Sequence, residues 1–245
     1  MVTVCTLMLA FSLVTATAAG AVTWTRGIDV SSYQHIGRTI NWQLVSRSGI
    51  GFAAIKVSEG TYYTNPYYAG DARAAAAAGL SVVPYVFANP SSAPGAATAR
   101  FGVAAARYAR TRLPIEVDLE DDPYAASDCY GLSVRRMIAW IAAFSAQATA
   151  LTGKAPIVYT SVQWWRECTK DTALFRNDPL WLASYDTATP GVPSPWKQWT
   201  FWQYDDDAMV PGVGLTDVDF YRATTALPAL PALPADAVRT SRRHP

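Results

Sequence analysis

Between Pro114 and Pro123 the chain reads Ile115-Glu116-Val117-Asp118-Leu119-Glu120-Asp121-Asp122. Successive side chains on an extended strand point to opposite faces, so Glu116, Asp118 and Glu120 share one face while Ile115, Val117 and Leu119 share the other. Such a strand would bury its aliphatic face against helices and aim its carboxyls at a common centre. Crowded acids raise one another's pKa, which is how a carboxylic acid keeps a proton to donate near neutral pH. Asp118 and Glu120 are therefore the first candidates for chemistry. A solvated acidic strand edge or a divalent-cation site is the alternative for the same stretch.

Those carboxyls need a scaffold that brings further groups to them. From Arg26 onward short apolar runs alternate with helix-like stretches, the pattern of βα units around a parallel sheet. Strands are expected at Gly27 to Val30, Phe52 to Val57, Ser81 to Phe87, Ile115 to Leu119, Ala155 to Thr160, Leu180 to Ser184, Thr200 to Tyr204 and Asp217 to Tyr221. Helices are expected over Asp71 to Ala78, stopped by Gly79, and over Ala96 to Arg110. A third should be capped by Ser133, carry Met137, Ile141, Phe144, Ala148 and Leu151 on one stripe, and end at Gly153. After Thr160 helical patterns become scarce. The expected fold is an α/β, TIM-barrel-like modified (β/α) barrel with eight strands and fewer than eight outer helices.

In parallel barrels functional groups collect at the carboxyl ends of the strands. Asp29, Glu59, Asp118, Glu120, Asp186, Asp205 and Asp219 would then meet at one mouth. Tyr33, Tyr62, Tyr85, Tyr124, Tyr159, Trp164, Tyr185, Trp202 and Tyr204 follow the same placement and are candidates to line a cleft. That combination suits glycoside hydrolysis, in which a protonated acid donates to the leaving oxygen while anionic groups stabilise an oxocarbenium-like centre.

Composition agrees and removes alternatives. The 245 residues fit one substantial domain, and nine Trp with thirteen Tyr lean toward a ring-lined sugar groove, although most rings belong in a core. A formal net charge of +1 argues against binding nucleic acid through phosphate neutralisation. Of two histidines, His35 reads as a loop residue and His244 lies near the chain end, so a multi-histidine zinc site or a serine triad lacks parts. No phosphate loop, dinucleotide fingerprint or Gly-x-Ser-x-Gly elbow occurs. Neither a metal nor a cofactor is expected; Asp205-Asp206-Asp207 could bind a cation, but a solvated turn is the stronger expectation.

Residues 1–21 are uncharged, hold the apolar run Leu7 to Val14 and end in small residues. They read as a secretory signal too short to span a membrane, though without the usual Lys or Arg at its start. Cys5 would leave with it. Cys129 and Cys168 then form an even pair suited to an oxidising compartment, and a bridge between them would be worth about 3–4 kcal/mol in the chain-entropy model. The expected organisation is a signal at 1–21, a catalytic barrel at 22–226, and a tail at 227–245 with Ala-Leu-Pro repeats and a basic end. A monomer without a membrane span is expected.

Six motifs in order carry a resemblance. Gly27-Ile-Asp-Val-Ser-Ser-Tyr-Gln34, Ile55-Lys-Val-Ser-Glu-Gly60, Asp118-Leu-Glu120, Trp181-Leu-Ala-Ser-Tyr-Asp186, Trp202-Gln-Tyr204 and Val218-Asp-Phe220 resemble those of glycoside hydrolase family 25, the Chalaropsis-type lysozymes. The similarity runs from about Arg26 to Ala223. It implies a secreted N-acetylmuramidase acting on the glycan strands of bacterial peptidoglycan. Glu120 matches the family's proton donor and Asp118 its partner, with Asp29 and Asp219 as further acids of the cleft. Tyr85, Tyr159, Tyr185 and Trp202, with Glu59 and Asp186, are the expected substrate-binding set. The segments around Cys129 and Cys168 resemble the disulfide-bearing branch of secreted members. One departure is Tyr85-Val86-Phe87, where relatives often carry Tyr-His-Phe; alternation points Val86 outward, away from the chemistry. A catalytically silent glycan-binding barrel and a chitinase-like hydrolase are the competing readings, the latter wanting a longer Asp-rich motif.

Overall fold

The computed structural model describes residues 23–107, 113–124 and 127–223. The expected leader and tail lie outside the described residues. The strands are β1 (Thr23–Val30), β2 (Phe52–Glu59), β3 (Tyr63–Thr64), β4 (Ser81–Phe87), β5 (Glu116–Asp118), β6 (Ile157–Ser161), β7 (Leu180–Ala183), β8 (Phe201–Val210) and β9 (Gly214–Ala223). The helices are α1 (Trp42–Arg47), α2 (Tyr68–Ala77), α3 (Gly95–Ala106), α4 (Val134–Thr152) and α5 (Val162–Thr169), with a short 3-10 helix at Ser32–His35.

The sheet order β1-β9-β8-β7-β6-β5-β4-β2, closed by β1 pairing with β2, makes an eight-stranded barrel, and β3 is a short hairpin partner on β2. Every residue of β2 and β4 is buried, as expected of strands covered on one side by helices and on the other by the barrel interior. On the β5 segment Ile115, Val117 and Leu119 pack in the outer layer with Val86, Phe144 and Trp165, while Glu116 and Asp118 face inward. The alternation in sequence thus separates the apolar layer from the acids.

Aromatic rings fill the barrel beneath those acids. Trp181 stacks on Phe201 at 4.6 Å, and Phe52 meets both edge-on. The Phe52 ring lies so close to Gly27, its registered partner on the adjacent strand β1, that a Cβ there would come within 2.1 Å of it, so glycine is needed at that position. Outside, α4 buries Met137, Ile141, Phe144 and Ala148, and Gly153 ends it in the left-handed conformation with its N–H on the Thr149 carbonyl. Leu151, expected on the same stripe, is exposed in the last turn. Helix α3 crosses α4 at backbone contact: a Cβ on Gly95 would lie 2.1 Å from the Trp140 carbonyl oxygen.

The structure departs from a fully parallel barrel at its end. β8 and β9 form an antiparallel hairpin, and β9 also runs antiparallel to β1. The connection Pro211-Gly212-Val213 is too short for a crossover helix, so the last strand must return beside its predecessor. Both strands are ten residues long, twice the five expected. Asp205-Asp206-Asp207 therefore lie within β8, not in a turn, at a stretch where its pairing with β9 slips. No helix follows β7, as the helix-poor sequence beyond Thr160 implied, although α5 after β6 is well formed. A disulfide joins Cys129 to Cys168, tying the segment before α4 to the end of α5.

Candidate active site

The carboxyl ends of the parallel strands surround a cavity of about 220 Å³. Asp29 enters it from β1, Lys56 from β2, Tyr85 and Phe87 from β4, Glu116, Asp118 and Glu120 from the β5 segment, Tyr159 from β6, Gln203 from β8 and Asp217 from β9. Gln203 links several of them: its amide nitrogen donates to Asp29 Oδ2 at 2.7 Å, and its oxygen accepts from the hydroxyls of Tyr159 and Tyr185. Those contacts fix which way the amide points and hold Asp29 in place. Asp118 Oδ1 and Glu116 Oε2 are buried without a hydrogen-bond partner among the described residues.

Among the described residues five carboxyls and one cation line this cavity. Burial raises the pKa of Asp118 well above the usual carboxylate range, and the neighbouring Glu120 raises it further. Glu116 is raised by burial and then by Asp118, and Asp29 by burial despite its bond from Gln203. Glu120, at the rim, is pushed up to about 7 by burial and by Asp29, with Lys56 opposing. Asp217 is pushed up to about 9 by burial and by Asp29.

These carboxyls keep protons in the folded state at pH values where the unfolded chain has released them. The folded state then binds more protons, so stability falls as pH rises from the ordinary carboxyl range of about 4. The decline continues to about 7 for Glu120 and about 9 for Asp217. Glu59, held below its ordinary value, contributes nothing to this loss. Calorimetry should show Tm dropping by on the order of 5–10 °C between pH 5 and 9. A flat or rising Tm over that interval would mean that the cluster is ionised in the folded protein.

Of the expected site residues, Asp29, Asp118, Glu120, Tyr85 and Tyr159 line the cavity together. Asp219 does not: it is fully buried below, where Trp181 Nε1 donates to it at 3.0 Å. Because β9 runs antiparallel, its residues approach the mouth toward the strand's beginning, and Asp217 takes the position expected of Asp219. Trp202 faces the outer layer, packed near Trp199 and Phe220 with its Nε1 on the Ser184 carbonyl, because its neighbour Gln203 faces inward. Trp164 is likewise in the outer core, and Tyr204 packs at the edge of that cluster against Trp202 and Phe220. Glu59 is buried beside the cavity, outside its lining. Asp186 is exposed in a left-handed turn beyond it, and Tyr185 reaches in only as far as Gln203. His35 sits in the 3-10 helix, its Nε2 2.7 Å from Asp71 Oδ2. Sequence reasoning passed over Asp217, Gln203 and Lys56 as site residues, although Gln203 and Lys56 stand inside two of the quoted motifs.

The sequence profile described as "Glycosyl hydrolases family 25" matches residues 28–213, three quarters of the chain, from within β1 to the end of the β8–β9 turn. The chain belongs to glycosyl hydrolase family 25. This family 25 protein is accordingly a glycoside hydrolase. It is 38% identical over 199 residues to Lysozyme M1 of Streptomyces globisporus, covering 79% of this chain and 66% of that protein, so about a third of the latter lies outside the match. It is 36% identical over 189 residues to the N,O-diacetylmuramidase of a Chalaropsis species, covering 74% of this chain and 88% of that one. Among solved structures it resembles the bacterial lysozyme from Streptomyces coelicolor, with a TM-score of 0.74 at 35% identity over 80% of this chain and 91% of that chain.

Proposed function

We propose that this family 25 hydrolase is a secreted N-acetylmuramidase that cuts the β-1,4 bond between N-acetylmuramic acid and N-acetylglucosamine in peptidoglycan. The observation that carries the reading is the convergence of Asp118 and Glu120 on one cavity with Asp29 and Asp217. The muramidase and lysozyme names of the relatives support the choice of substrate. Export is supported by the signal-like leader and by the Cys129–Cys168 disulfide, which belongs in an oxidising compartment. Among the described residues no helix is long and apolar enough to cross a membrane.

In the mechanism we infer, Glu120 is the proton donor. With a pKa near 7 it still carries its proton at mildly acidic to neutral pH. While Glu120 is neutral, one of the charges that raise the Asp118 pKa is absent, which eases the ionisation of Asp118 against the larger cost of its burial. Asp118 then accepts a hydrogen bond from the N–H of the sugar's 2-acetamido group. The acetamido oxygen attacks the anomeric carbon as the bond to the leaving oxygen breaks, and Glu120 protonates that oxygen. Water subsequently adds at the anomeric carbon, giving its proton to Glu120 and restoring the acetamido group with net retention. Asp29, held by Gln203, and the Tyr85 and Tyr159 rings position the sugar.

Purified peptidoglycan digested with the protein and reduced with borohydride should carry muramitol at its new ends by mass spectrometry. Glucosaminitol ends would assign the other glycosidic bond. Wall binding without new ends would favour a silent binding barrel.

A further inference from the structure

Strict alternation along β2 would set Lys56 and Glu59 on opposite faces. A bulge prevents this: Lys56 pairs with Tyr85, and the next registered partners are Ser58 with Val86 and Glu59 with Phe87. Because Tyr85 and Phe87 both face the cavity, the slip turns Lys56 and Glu59 to the same side. Lys56 Nζ reaches Glu59 Oε2 at 2.9 Å and lies 4.4 Å from the centre of the Phe87 ring. Glu59 Oε1 accepts from the hydroxyls of Tyr62 and Tyr124, each at 2.6 Å, and Asn89 donates to the Tyr62 oxygen. Tyr124 comes from the segment that follows Glu120. With three donors on its two oxygens and only 7% of its surface exposed, Glu59 has little left to offer a sugar.

Among the described residues Lys56 is the one cation lining the cavity. We propose that Glu59 is a positioning residue: it holds Lys56 so that the ammonium faces the Asp118–Glu120 pair without closing an ion pair with either. The titratable groups that share the cavity with this cation are Asp29 from β1, Glu116, Asp118 and Glu120 from the β5 segment and Asp217 from β9, with Glu59 and the Tyr62 and Tyr124 hydroxyls behind it. An ammonium free to move among them would pair with one of the catalytic carboxyls and hold it ionised, since such pairs strengthen in a water-poor cavity. Tethered to Glu59, its charge is largely neutralised, and Glu120 retains a proton to give. The Tyr124 hydroxyl couples the same carboxylate to the segment carrying Glu120.

This inference rests on Glu120 as proton donor, so the test reads Glu120 in two ways. One is its own titration by carboxyl 13C NMR in the full chain. The other is the basic limb of the pH profile of kcat/KM on a soluble glycan of alternating N-acetylglucosamine and N-acetylmuramic acid. In Glu59→Gln, which keeps an acceptor for the tyrosines but removes the charge, both should move down by about 1 pH unit. Lys56→Met should move them up by a similar amount, Lys56→Arg should stay near wild type, and the double variant Lys56→Met/Glu59→Gln should return to within about 0.3 unit of it. Shifts in the same direction for the two single variants would overturn the proposal. So would a loss of Tm or kcat with neither limb nor titration moving by more than about 0.3 unit. If the wild type leaves the glycan intact while Glu120's titration still shifts in opposite directions, the muramidase reading fails and the positioning role of Glu59 stands.

Discussion

Glu120→Gln is expected to lower kcat on the soluble glycan by about 10³-fold or more with little change in KM. The amide preserves the size of the side chain and most of its contacts, but it has no proton that can pass to a leaving alkoxide. Positioned general acids are worth about 10²–10⁴ in rate, and a glycosidic oxygen is a poor leaving group without one. The stability of the variant separates this loss from unfolding. Burial raises the Glu120 carboxyl to about 7, so the wild type is penalised for ionising it above that pH. A neutral amide escapes the penalty, and Tm at pH 8 should equal or exceed that of the wild type. Retention of more than a tenth of the wild-type kcat, with muramitol still the new end, would remove Glu120 from the proton-donor role.

The fold was legible wherever local pattern and global architecture coincide. The β4 strand begins and ends where the apolar run Ser81 to Phe87 does, and α4 stops at Gly153 because a left-handed residue is needed there. The β5 segment declared its two faces in sequence, since acids and aliphatics alternate without error from Ile115 to Glu120. What could not be read depends on phase. A bulge adds one residue to one strand and exchanges the faces of everything after it, so Glu59 turns toward Lys56 although alternation would send it away. A tight hairpin reverses the last strand, and Asp217 replaces Asp219 at the mouth. On β8 the large residue of Trp202-Gln203 drew attention as a sugar platform, yet the amide faces inward and the ring covers the outside of the barrel. Ring size is a poor guide to direction; parity along the strand decides it.

Asp118→Asn is the second replacement with a large expected effect. Asn keeps the shape of Asp118, and its buried neighbours lose no packing. In the wild type, Asp118 Oδ1 has no hydrogen-bond partner among the described residues, so an acetamido N–H is a natural donor to it. Losing that charge removes the electrostatic stabilisation of the positive charge that develops on the acetamido group as its oxygen attacks, and kcat should fall by about 10²–10³-fold. KM should change little, because the interaction strengthens only as that charge appears. The route itself has a separate test. Proton NMR of the wild-type reaction should show the retained anomer first, and a glycan whose muramic acid carries a free amine in place of the acetamido group should resist cleavage. Net inversion would exclude acetamido participation and return Asp118 to activating a water. Retention with cleavage of the free-amine glycan would make Asp118 the nucleophile itself. The electrostatics of the mouth favour acetamido participation over direct attack by Asp118: it is buried and shares its cavity with four other carboxyls, a setting that makes an anionic nucleophile costly, a cost that protonation of Glu120 eases. The same proton that makes Glu120 an acid therefore frees Asp118 to orient the acetamido group, and the two roles become available together.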